Sequence, residues 1–186
     1  NMSAEPEPDF PIFIGDSITE GFSVEKHLSE FDISNFGISG LASYEVLNYA
    51  DDDWFKDNPK YIFICIGTND FARNVSDEEV LQNIKIISKH CIKNTPASKI
   101  ILIPIFPTKN NPPRPNNRIV IFNYKLKNLA DENNYRFFNL HPIFTDSVGQ
   151  LKSEFTDDGL HLTEAAYKKW AEEFRKFYLD ELKNED

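Results

Sequence analysis

Two patterns of apolar residues alternate along this chain: short unbroken runs, and segments in which apolar positions recur three or four residues apart. Phe10 to Ile14 is a short apolar run closed by Gly15, which predicts a buried parallel strand passing into a helix at Ser17 that extends to about Leu28. Asp32 to Phe36 predicts a second short strand, ended by Gly37. Tyr61 to Ile66 is apolar at every position, as expected of a strand covered by helices on both faces. Lys99 to Ile105 and Arg136 to Leu140 predict the fourth and fifth strands.

Helical spacing fills the intervals. Ala42 to Ala50 predicts a short helix ending in the solvated run Asp51-Asp52-Asp53, whose consecutive carboxylates lack the spacing of a calcium loop. Ser76-Asp77-Glu78-Glu79 is a capping box, and Val80, Ile84, Ile87 and Cys91 carry the helix behind it to about Asn94. Ile119, Phe122, Leu126 and Leu129 mark another helix. Thr163 opens the last, with Tyr167, Trp170, Ala171, Phe174 and Phe177 on one stripe that reads as core. Leu151 to Asp158 has no clear period, and Pro104 to Arg118, rich in Pro, Asn and basic residues, predicts a long loop flanking a site.

Strands alternating with helices predict an α/β fold, a three-layer α/β/α sandwich in which right-handed crossovers place helices on both faces of a parallel sheet. Ligands of such sheets bind outside the carboxyl ends of the strands. Ser17, Gly40 and Asn69 follow strands one, two and three, so all three are expected at one edge.

The 186 residues are expected to form a single domain over 1–186, with residues 1–9 as an extended, acidic, Pro-rich segment. That segment has no charged n-region or apolar h-region, and no run approaches the ~18 residues of a membrane span. A formal net charge of −10, from 20 basic and 30 acidic residues, disfavours nucleic acid and anionic membranes as partners. The two cysteines, Cys65 and Cys91, sit at apolar positions and read as buried free thiols, which favours a reducing, cytoplasmic setting.

Ser17-Ile18-Thr19-Glu20 fits a capping box, so a helix cap is the first reading of Ser17, and catalysis there requires partners elsewhere in the chain. A serine hydroxyl needs a base, and a histidine base works best when a carboxylate orients it. Of the four histidines, His27 and His90 fall on helices and read as solvated, and His141 falls in a loop. His161 stands three residues after Asp158, with Gly159 between them, just before the final helix. The backbone amides of Ser17 and Gly40 and the side chain of Asn69 are candidate oxyanion donors. Arg73, Arg114 and Arg118 are candidates to hold an anionic substrate group, against a reading as solvated surface residues.

Gly15-Asp16-Ser17, Gly40 within Asn35-Phe36-Gly37-Ile38-Ser39-Gly40, Gly67-Thr68-Asn69-Asp70 and Asp158-Gly159-Leu160-His161 together resemble, in order and spacing, the four blocks of the SGNH (GDSL-type) hydrolases. The resemblance spans Phe10 to His161. It implies a flavodoxin-like five-stranded sheet of order 2-1-3-4-5, a Ser17-His161-Asp158 triad, an oxyanion hole from Ser17, Gly40 and Asn69, and neither metal nor organic cofactor. It also implies hydrolysis of a small-molecule ester, with short-chain acyl, above all acetyl, esters of a carbohydrate or other small alcohol as the expected substrates. A lysophospholipase or thioesterase of the same family is the alternative enzyme. A flavodoxin-like module cradling phosphate at the helix after Gly15 is the alternative binding protein.

Overall fold

Five parallel strands form one sheet in the order β2-β1-β3-β4-β5, with β1 at Ile12–Gly15, β2 at Ser34–Asn35, β3 at Tyr61–Cys65, β4 at Lys99–Leu102 and β5 at Arg136–Phe137. This computed structural model describes residues 8–185, so the segment expected over 1–9 lies outside the described residues except for Pro8 and Asp9. The helices are α1 (Ser17–Glu20), α2 (Val24–His27), α3 (Thr68–Ala72), α4 (Asp77–Asn94), α5 (Asn116–Asn133), α6 (His141–Phe144) and α7 (Glu164–Phe177). The strand order is the one the four sequence blocks imply.

Because successive strand residues point to opposite faces, the sheet divides the core in two. Ile12, Ile14, Ile62, Ile64, Ile100 and Leu102 face α4 and α5 in a largely aliphatic layer. Phe13, Tyr61 and Phe63 face α7 in an aromatic layer, where Phe13 packs on Phe22, Trp170 and Phe174. The aromatic stripe of the last helix is core, with Phe177 at its partly buried margin. Both cysteines are free and buried, and burial pushes the Cys91 thiol up to about 12 and Cys65 well above its usual range.

Several elements are shorter than the apolar pattern predicts. The helix expected from Ser17 to Leu28 is broken into α1 and α2, because Gly21 ends the first turn and Phe22 swings inward among Phe13, Tyr167 and Trp170. Burying that ring outweighs a continuous helix. The second, fourth and fifth strands lose residues at their ends, where Phe36 and Ile38 still donate to Phe13 and Gly15 carbonyls on β1. The segment after Gly40 is a 3-10 turn, Ser43–Asn48, not an α-helix. Asp51 accepts from the Asp53 amide at 3.0 Å and so starts a second 3-10 turn, where the sequence suggested a helix end. Helix α5 begins at Asn116, directly after Pro115, which supplies a preset φ for its entry.

Candidate active site

The site is assembled where β1, β2 and β3 end. Parallel register pairs Gly15 with Cys65, so the loops that follow β1 and β3 leave the sheet side by side. Ser17 opens α1 but does not cap it: the buried Asp16 carboxylate accepts from the Ile18 amide at 3.0 Å. Glu20, the other half of the expected capping box, instead accepts from the Ser39 amide at 3.0 Å and ties α1 to the loop before Gly40. Relieved of capping, the Ser17 hydroxyl lies 3.2 Å from His161 Nε2.

His161 is held by a loop that folds on itself. Asp158 Oδ1 accepts the amides of Leu160 and His161 at 2.9 and 2.7 Å, while Oδ2 lies 2.6 Å from His161 Nδ1. Partial burial raises the Asp158 pKa, but the His161 hydrogen bond and those two amides outweigh it and hold the carboxyl down at about 2. Thr156 donates to the His161 carbonyl at 2.8 Å and accepts from the Gly159 amide at 2.9 Å. Gly159 has φ +86°, and a Cβ there would sit 2.1 Å from the Lys109 carbonyl, so the long Pro/Asn loop lies directly against this turn. Hydroxyl, imidazole and carboxylate thus form one hydrogen-bonded line, which can move the serine proton to Nε2 while Nδ1 stays fixed.

Gly40 has φ +83°, and an added Cβ would meet nothing within 4 Å, so the space before its backbone is open. Asn69, on the first turn of α3, donates from Nδ2 to the Leu41 carbonyl at 3.0 Å, beside Gly40. Its neighbour Asp70 is fully buried and accepts from both the amide and the hydroxyl of Ser43. Burial raises the Asp70 pKa, opposed by those hydrogen bonds. Asp16 is raised to about 7, chiefly by burial, with the Ile18 amide and the Arg114 charge opposing.

The three candidate arginines have different places. Arg73 donates to the Gly40 carbonyl at 2.8 Å and to the Tyr44 hydroxyl at 2.9 Å, and pairs with Glu45. Arg114 reaches from the Pro/Asn loop to the Thr68 carbonyl at 2.9 Å and Asn69 Oδ1 at 3.0 Å. Arg118 turns to Asp77 and the Val75 carbonyl and lies 3.8 Å over the Phe71 ring, joining the starts of α4 and α5. Arg73 is exposed, as the solvated reading has it, whereas Arg114 and Arg118 are partly buried; the guanidinium groups of Arg73 and Arg114 are engaged with protein groups around the site.

Two histidine readings also change. His27 is not solvated: its side chain is 7% exposed, it packs edge-on against Phe22, and Nε2 lies 3.2 Å from Glu164. His141 begins α6 and is not in a loop, and burial lowers its pKa. His90 lies on α4 beside Asn94 and Phe55. The contacts of Glu20, Asp70 and Ser43 had no signature in the sequence, since each carries its partner from another part of the chain. Among the described residues no group of three or more His, Cys, Asp or Glu is arranged to hold a metal ion, and no helix is long and apolar enough to cross a membrane.

Residues 13–169 match the profile of the GDSL-like Lipase/Acylhydrolase family. The chain belongs to that family. That membership favours the hydrolase reading of the four sequence blocks over the phosphate-binding one. The chain is 31% identical over 158 residues to N-acylneuraminate cytidylyltransferase of Escherichia coli, a match covering 83% of this chain and 36% of that protein. The chain therefore spans little more than a third of that relative's length. Among solved structures, a Streptococcus pneumonia protein provisionally named a platelet activating factor is similar at 29% identity and a TM-score of 0.81, over 95% of this chain and 86% of that one. A GDSL-like lipase from Bacteroides thetaiotaomicron shares the fold with a TM-score of 0.81 at 24% identity, over 94% and 89% of the two chains.

Proposed function

We propose that this GDSL hydrolase removes short acyl groups, acetyl above all, from a carbohydrate or similar small soluble alcohol. Ser17 attacks the ester carbonyl as His161 takes its proton, and Asp158 holds the imidazole and stabilises its charged form. The amides of Ser17 and Gly40 and the Asn69 side chain donate to the tetrahedral oxyanion. His161 then protonates the departing alcohol, and a water activated by the same imidazole releases the acid from the acyl-enzyme.

The single observation that carries this reading is the unbroken line from Ser17 Oγ to His161 Nε2 at 3.2 Å and from Nδ1 to Asp158 Oδ2 at 2.6 Å. An open hollow on the Pro/Asn loop beside Arg114, about 390 Å³ and lined by Asn110, Asn111 and Gln150 together with Pro112 and Pro115, offers side-chain amides to a sugar alcohol. Side-chain amides both donate to and accept from hydroxyl groups. The curated relative is named for N-acylneuraminate, an acylated sugar acid, which places carboxylate-bearing sugars among the substrates to try.

The test is a panel of acetyl, octanoyl and decanoyl esters together with acetylated sugars with and without a carboxylate. The expected result is fastest turnover of acetyl esters and labelling of Ser17 by a fluorophosphonate. Preference for decanoyl esters would move the reading to a lysophospholipase or thioesterase, and an unreactive Ser17 would overturn it.

A further inference from the structure

The chemistry of Asn69's neighbours decides how its carboxamide is turned. A guanidinium group only donates hydrogen bonds, and a peptide carbonyl only accepts them. Asn69 lies between one of each: Arg114 Nη2 is 3.0 Å from Oδ1, and the Leu41 carbonyl is 3.0 Å from Nδ2. Only one orientation of the amide satisfies both. The second Nδ2 hydrogen makes no hydrogen bond within the described residues, and it is the one left for a ligand.

Arg114 is itself fixed. Its Nε donates to the Thr68 carbonyl at 2.9 Å while Nη2 holds Asn69, so one edge of the guanidinium grips the main chain and the side chain of consecutive residues. The loop that carries it is closed behind it: the Arg114 amide donates to the Asn111 carbonyl at 2.9 Å, and Thr108 donates to the Arg114 carbonyl at 2.8 Å. A cation on Oδ1 also draws electron density from the amide and strengthens its N–H as a donor.

We propose that Arg114 is a positioning residue that orients and polarises the Asn69 carboxamide as the side-chain donor of the oxyanion hole. The inference rests on the esterase reading above and gives the Pro/Asn loop a task in catalysis: it delivers a fork that lysine, a single point charge, does not reproduce.

The test is a double-mutant cycle on the full chain with Arg114→Ala, Asn69→Ala and the pair, with Arg114→Lys as the conservative variant, read on p-nitrophenyl acetate. Arg114→Ala is expected to lower kcat about tenfold with KM within about twofold, Asn69→Ala about 10²-fold, and the pair no further than Asn69→Ala alone. Arg114→Lys is expected to behave like Arg114→Ala. An equal loss from Arg114→Ala in both backgrounds overturns the proposal, as does a rise in KM confined to carboxylate-bearing esters with kcat intact, the mark of an anion-binding residue.

A second readout is independent of turnover: the side-chain amide resonances of Asn69 in a ¹H–¹⁵N spectrum. They are expected to move toward those of a free carboxamide in both Arg114 variants while the backbone spectrum stays folded, and unmoved resonances overturn the proposal. If the wild-type protein hydrolyses no ester while these resonances do move, the esterase reading falls and the hold of Arg114 on Asn69 stands.

Discussion

Asp70 accepts two hydrogen bonds from one residue, Ser43, at 2.8 Å from its amide and 2.6 Å from its hydroxyl. The carboxylate is fully buried, and the contact joins α3 to the turn after Gly40. Replacing Asp70 by Ala leaves both Ser43 donors without their acceptor, a loss of about 1–3 kcal/mol. Urea unfolding is the check, with Asp70→Asn expected to fall between Ala and wild type, and turnover expected to fall with stability because the turn that follows Gly40 loses its tie to α3.

Ser17→Ala is expected to abolish hydrolysis of a short p-nitrophenyl ester and leave the unfolding midpoint unchanged, since Asp16, not Ser17, caps α1. Circular dichroism with an initial-rate assay tests both halves. Full activity in this variant would refute Ser17 as nucleophile.

Asp158→Asn keeps a hydrogen-bonding side chain but presents the wrong partner to Nδ1, and it is expected to lower kcat on the order of 10⁴-fold. The Asp158 pKa is depressed from 3.8 to about 2, so any stability it gives is present above the upper value and lost as pH falls through the lower. The side chain is 54% exposed, so this contribution is small beside the catalytic loss.

Asp16 runs the other way. Its pKa is raised from 3.8 to about 7 by burial, so the folded state holds the proton more tightly than the unfolded chain. Its contribution is therefore complete below 3.8 and is lost as pH rises through about 7. Asp16→Asn is expected to flatten the fall of stability across that interval and to be the more stable form at pH 8, measured by denaturant titration at several pH values.

Gly159→Ala places a methyl group 2.1 Å from the Lys109 carbonyl in a backbone conformation, φ +86°, that alanine resists. Main chain cannot swing aside as a flexible side chain would. A lowered melting temperature and a loss of kcat through displacement of the His161 loop are both expected, on the order of 1–3 kcal/mol for the strain alone.

Much of this arrangement is legible before folding. Tyr61 to Ile66 reads as a strand because it is apolar on both faces, and Ser76 caps α4 as its capping box predicts, accepting from the Glu79 amide at 3.2 Å. Ser17 is harder: its capping box is a local pattern, and the structure gives the cap to Asp16, whose carboxylate reaches the Ile18 amide. Phe22 breaks the first helix largely for partners on α7, far along the chain. The arginines show the same limit, since a guanidinium in sequence carries a charge but no address. Their carbonyl acceptors, Gly40 for Arg73 and Thr68 for Arg114, exist as targets only once the strand ends converge.

The division of the core into aromatic and aliphatic layers has an optical consequence. The chain's two tryptophans fall on opposite sides of the sheet, Trp170 in the layer under α7 and Trp54 in the layer toward α4 and α5, both buried. Each is a separate fluorescent witness to its own half. With one or the other replaced by phenylalanine, emission during denaturation would tell whether the two halves melt together or whether one lets water in first.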